Sequence, residues 1–112
     1  MNYNSRQEAR RDGQQVLKLL KNPKGWRINV WENLGWHTAL RKGGMYLYWT
    51  DYDSKGHSFS TLFDSEGKGP GGEIYWSTNF YSKDPNKAIV HQLKTAKAFV
   101  AQCKKAINEI EK

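Results

Sequence analysis

Toward the end of the chain, apolar residues recur at alternating steps of four and three: Ile89, Leu93, Ala96, Val100, Cys103, Ile107 and Ile110. This spacing holds to one side of an α-helix. Asp84 suits its N-cap, and Pro85 suits the first helical position, where no backbone N–H is needed. A helix over 85–111 would run about 40 Å at 1.5 Å per residue. It cannot bury such a stripe by itself, so the preceding chain must supply a hydrophobic floor. A second, shorter helix is predicted over 5–22. Ser5 and Glu8 form a capping box, and Pro23 with Gly25 ends the helix. Ala9, Val16, Leu17, Leu19 and Leu20 share a broad face with Gly13, while Arg10, Arg11, Lys18 and Lys21 occupy the other side. Glycine weakens a helix interior, so Gly13 marks a close backbone approach.

Between the helices the period changes to two. Trp26, Ile28 and Val30 alternate with Arg27, Asn29 and Trp31. Strands are predicted over 26–33, 36–41, 45–50 and 57–63, with a short edge strand over 73–77. Residues 34–35, 42–44 and 53–56 read as turns and 65–72 as a loop. Short turns favour antiparallel neighbours. The expected fold is therefore α+β in two layers: an antiparallel five-stranded meander (four long strands plus a short edge strand), flanked by an N-terminal helix and a long C-terminal helix on one face. All of 1–112 forms a single domain: helix 5–22, sheet 26–77, helix 85–111. The covered sheet face would hold Ile28, Val30, Leu40, Leu47, Trp49, Phe59, Phe63, Ile74 and Trp76. The open face would carry Arg27, Trp31, His37, Arg41, Tyr46, Tyr48 and Tyr75. A one-residue slip in register would exchange the two sets.

Composition adds constraints. Five Trp, six Tyr and four Phe in 112 residues can build a core despite a mean hydropathy of −0.87. No run approaches the roughly 18 apolar residues of a membrane span. Cys103 is the single cysteine, so no internal disulfide forms and a cytoplasmic location is the default. The net charge is +7. Residues 1–25 hold six Lys/Arg against two acids, residues 26–83 six against six, and residues 84–112 six against three. The excess thus lies in the two helical segments. Basic excess draws nucleic acid or acidic protein surfaces.

Two surfaces are candidate binding sites. At 100° per residue, Lys87, Lys94, Lys97, Lys104, Lys105 and Lys112 fall within a sector of roughly 100° beside the apolar stripe, a row suited to phosphates or to an acidic protein. The bland reading is a solvated face whose lysine stems shield the stripe. On the open sheet face, Trp31, Tyr46 and Tyr48 beside Arg27 and Arg41 offer a stacking platform for unpaired bases. There the bland reading is that aromatics are good strand formers. A third stretch, 30–37, packs Trp31, Trp36, His37 and Glu32 around one turn and reads as a recognition corner or a bent hairpin.

Metal and catalytic readings are disfavoured. The segment opening at Asp51 and Asp53 imitates a calcium loop, but Lys55 and Leu62 stand where ligands are required. Residues 67–72 lack phosphate-loop spacing. His37, His57 and His91 share no ligand spacing with Cys103. No metal, cofactor or enzymatic activity is expected.

The helix–sheet–helix order is similar to that of double-stranded RNA-binding domains, although their basic opening to the last helix is replaced here by Asp84, Pro85, Asn86 and Lys87. A meander followed by a long helix also resembles dimeric single-stranded-DNA-binding folds of the coactivator type. These are likenesses of architecture, and fold alone does not assign function. The expected function is a small non-enzymatic binding protein. Nucleic acid would be held by Arg10, Arg11, Lys18, Lys21 and the α-helical lysines, with the aromatic sheet face as a second contact. The alternative is a protein-binding inhibitor or adaptor of the phage or mobile-element type, blocking a host nuclease or defence complex by occlusion. A further expected partner is a second copy of the chain. The sheet would be only about 24 Å wide, so the end of the long helix would overhang it.

Overall fold

The computed structural model describes residues 3–51, 57–64, 75–77 and 80–111. Its elements run α1 (Arg6–Leu17), β1 (Arg27–Glu32), β2 (Trp36–Lys42), β3 (Met45–Asp51), β4 (His57–Asp64), β5 (Tyr75–Ser77) and α2 (Pro85–Glu111). The class is α+β. The four long strands form an antiparallel meander in sequence order, and the three residues of β5 extend it beside β4. The loop expected at 65–72 and the turn expected at 53–56 lie outside the described residues, as does Ile74.

Register settles which side chains share a face. Ile28 opposes Leu40, Leu40 opposes Leu47, and Trp49 opposes Phe59. These residues meet Val16 and Leu20 from the α1 end and Ala88 and Ile89 from α2 in one hydrophobic core. Both helices therefore cover the same side of the sheet. Leu40, Leu47 and Phe59 are almost wholly buried, and each such side chain stabilises the fold by about 1.5–3 kcal/mol. Gly13 lies directly against the floor. A methyl group built there would sit 2.7 Å from Ile28 Cγ2 and 3.0 Å from Thr38 Oγ1, which is the close approach expected from sequence.

α1 begins where predicted, with Ser5 Oγ accepting from the Glu8 N–H at 3.2 Å, but the Glu8 carboxylate accepts from the Asn4 N–H at 3.4 Å in place of the expected return to Ser5. It ends at Leu17, not at Asn22. The next turn tightens, with the Leu19 and Leu20 N–H groups bonding three residues back to Val16 and Leu17. Asn86 then takes over the chain. Its Nδ2 donates to the Leu19 carbonyl at 3.0 Å, and its Oδ1 accepts from the Lys21 N–H at 2.9 Å. A side chain 65 residues downstream thus diverts the backbone from the helical path.

The seam on α2 is covered only in part, and the end of the helix overhangs the sheet as the expected widths implied. The structure buries only its first part: Ala88 and Gln92 are inaccessible, and Ile89, Thr95 and Ala96 are half-buried. From residue 97 onward every side chain that is described is exposed. The sheet has ended, and α2 projects beyond it along the 56 Å long axis of the molecule.

Candidate functional site: the helix layer and its basic rim

α2 is one continuous helix, so its lysines keep the angular relation that the sequence implies. Lys87, Lys94, Lys97, Lys104 and Lys105 are all exposed; Lys112 lies outside the described residues. Arg10, Arg11, Lys18 and Lys21 are exposed as well; Arg10 and Arg11 lie on α1 outside its buried face of Ala9, Gly13 and Val16, Lys18 is its C-cap, and Lys21 follows the helix. Among the described residues His57 Nε2 lies 3.8 Å from Asp12 Oδ1, and no Lys or Arg is paired with a carboxylate. These cations therefore have their charge available to a partner.

The two basic surfaces meet at Asp84. Its Oδ1 caps α2 by accepting from the Asn86 N–H at 2.9 Å and from Asn86 Nδ2 at 3.0 Å. Those bonds lower its pKa, side-chain bond first and backbone bond second; burial opposes them, and the charges of Lys21 and Lys87 add smaller lowering effects. Lys21, four residues beyond α1, and Lys87, in the first turn of α2, therefore flank one carboxylate. Beside this junction an apolar groove of about 500 Å³ opens between Leu20, Trp26, Met45, Ile89 and Leu93, with Lys21 and Lys42 also in its lining.

The aromatic residues lie on the opposite side of the molecule. Trp31 opposes His37, Arg27 opposes Arg41, and Arg41 opposes Tyr46, which puts all of them on the sheet face away from the helices. Trp31 stacks on His37 with centroids 5.6 Å apart, Tyr46 on Tyr48 at 5.9 Å, and the Arg41 guanidinium lies 5.3 Å from the centre of the Tyr46 ring. These contacts are between neighbours in the sheet. Tyr46 is only 5% exposed, and Ala39 and Leu62 on the same face are buried; Trp31, His37, Arg41 and Tyr48 are half-buried, and Arg27 is exposed. The structure thus separates the two sets of predicted contact residues by the thickness of the domain, and Tyr46 has little surface to offer a base.

Sequence reasoning missed a polar cluster beneath α1. Asp12 Oδ2 accepts from the Trp49 indole N–H at 2.8 Å and from the Tyr3 hydroxyl, and Asp12 Oδ1 faces His57. A buried indole N–H seeks an acceptor, and Asp12 supplies it. These four residues come from four segments, so no local spacing announces them. The turn at 33–35 shows a different anomaly. Leu34 is 95% exposed with φ +53°, a conformation that most side chains avoid.

Among the described residues no group of three or more His, Cys, Asp or Glu is placed to hold a metal ion, and no helix is long and apolar enough to cross a membrane. No protein-family model, no curated protein and no solved structure matches the chain.

Proposed function

We propose that this protein binds nucleic acid through the outer surface of its helix layer, with the lysine row of α2 as the principal contact and Lys21, Lys18, Arg10 and Arg11 of the α1 segment beside it. The observation that carries this reading is the exposed row itself. Its cations share one helix sector that runs from the body of the domain at Lys87 and Lys94 onto the projecting part at Lys97, Lys104 and Lys105, and they are paired with no carboxylate among the described residues. A cation row of this kind neutralises successive phosphates and releases their counterions. It positions the ligand without reading its sequence, so duplex and single-stranded ligands both bind. The sheet face is secondary, because its rings are spent largely on one another.

Fluorescence anisotropy with labelled duplex and single-stranded oligonucleotides tests the assignment. Replacing Lys87, Lys94 and Lys105 with Gln weakens binding to both ligands, while replacing Arg27 and Arg41 with Gln changes it little. The reverse ranking would move the site to the sheet. Failure of the wild-type protein to bind any DNA or RNA at low salt would remove the proposal. In a second reading the partner is an acidic protein, in keeping with an occluding inhibitor or adaptor. The specific support is the exposed apolar flank of Val100 and Ile107 next to the lysines. A single stoichiometric protein partner retained after nuclease treatment, together with no nucleic-acid binding, favours that alternative.

A further inference from the structure

The projecting part of α2 carries a pattern that a lysine row alone does not need. Steps of four and three give a mean period of 3.5, the repeat of a left-handed coiled coil rather than of a straight helix on a sheet. The sheet supports this repeat only as far as Ala96. Beyond it, residues 97–111 extend about 22 Å at 1.5 Å per residue. Val100, Ile107 and Ile110, on one side of that extension, are 48%, 52% and 83% exposed. An isolated helical segment of this length is marginal in water and is normally held by packing of its apolar face.

We propose that a second copy of this chain covers the seam, its projecting helix lying antiparallel to the first, with the two-fold axis passing near Lys105. This goes beyond nucleic-acid binding and does not depend on it. Three observations select the occupant and its direction. First, the body of the domain fills the N-terminal end of α2 only. An antiparallel overlap of residues 97–111 sets the two bodies at opposite ends, each projecting helix as long as the one it meets.

Second, the charges on the edge of the seam match in this direction. Lys97, Lys104 and Glu111 are spaced by seven on the same edge. Antiparallel packing sets this edge against its own copy, so Lys97 of each chain faces Glu111 of the other, twice per dimer. Lys104 faces its copy near the axis, where its long stem turns the ammonium outward. Sliding one heptad toward the bodies would instead oppose Lys97 to Lys104 twice. A parallel pair would place this edge against Gln92, Phe99 and Ala106, which carry no charge.

Third, the layers formed are apolar. Val100 meets Ile110 at the two outer layers, and Ile107 occupies the inner ones. Lys87, Lys94 and Lys105 remain on the outside of both helices. The overlap lies at the low end of interface sizes, below about 1,200 Å², so dimerisation is concentration-dependent.

Sedimentation equilibrium of the full chain without nucleic acid, together with oxidative cross-linking, tests the proposal. Wild-type protein approaches dimer mass as concentration rises. Ile107→Asp stays monomeric, with unchanged far-UV circular dichroism per residue in the dilute limit. Glu111→Lys weakens the dimer by about fivefold to tenfold, the effect of losing two exposed pairs, and adding Lys97→Glu restores it. On a Cys103→Ser background, mixing Val100→Cys chains with Ile110→Cys chains under oxidation joins unlike chains. Monomer mass at every concentration overturns the proposal, and so does cross-linking of like chains only.

Discussion

Replacing Gly13 with Ala sets two opposing effects against each other at one atom. In an exposed helix interior the change stabilises by about 1 kcal/mol, because alanine loses less backbone freedom than glycine on folding. Here the new methyl would lie 2.7 Å from Ile28 Cγ2 and 3.0 Å from Thr38 Oγ1, well inside the ~3.5–4.0 Å of ordinary carbon contact. Both neighbours stand on strands of the sheet, so relief requires their side chains to shift or α1 to lift. Overpacking of this kind costs about 1–3 kcal/mol. The net expectation is a loss near 1 kcal/mol, seen as a fall of about 4 °C in Tm for a domain of this size. Urea denaturation followed by circular dichroism measures it, with an unchanged m value showing that only stability moved. Ile28→Leu moves the branch point one carbon outward and removes Cγ2 from the clash. The double variant Gly13→Ala/Ile28→Leu should then lose less than the sum of the single changes. A Gly13→Ala protein more stable than wild type would refute the packing of α1 on β1 and β2.

Three further outcomes follow from the geometry. Asn86→Ala removes the bonds to Leu19 and Lys21 that tie the α1 segment to α2; a loss of about 1–2 kcal/mol is expected in denaturant melts, and an unchanged midpoint would contradict the clamp. The Asp84 carboxyl titrates below its ordinary 3.8 in the folded protein, so its contribution to stability is complete above that value and is lost as pH falls through the lower folded value. Wild type should therefore lose more stability than Asp84→Ala between pH ~4 and ~2, and parallel acid curves would count against the cap. Leu34→Asn puts a residue tolerant of positive φ at the turn and should stabilise by about 0.5–1 kcal/mol; a destabilised variant would contradict backbone strain at this turn.

Most of the architecture was legible because its signals are local. The bounds of α2 follow from Asp84, Pro85 and the regular apolar steps after them. The two sheet faces follow from alternation within β3, where Leu47 and Trp49 turn inward and Tyr46 and Tyr48 outward. The tight turn at Gly43 locks that register against β2. What escaped was set at a distance. α1 ends early where Asn86 takes up the Leu19 carbonyl and the Lys21 N–H just beyond it. The Asp12, Trp49, Tyr3 and His57 cluster joins segments with no shared spacing. The reach of the sheet under α2 depends on where the helix is anchored, and residues 88–92 anchor it by its first turns. The lysine sector could be read from helical phase alone. Its meeting with Lys21 across Asp84, and its separation from the aromatic face, required the fold.

The central claim is that the outward lysines of α2 hold a polyanion, and the salt dependence of binding tests it most directly. With duplex DNA, the logarithm of the wild-type binding constant should fall linearly with the logarithm of salt concentration. Each phosphate contact contributes about 0.9 to the slope. Replacing Lys87, Lys94 and Lys105 together with Gln should reduce the slope by about 3. Binding with the same slope in both proteins, or binding indifferent to salt, would contradict the account.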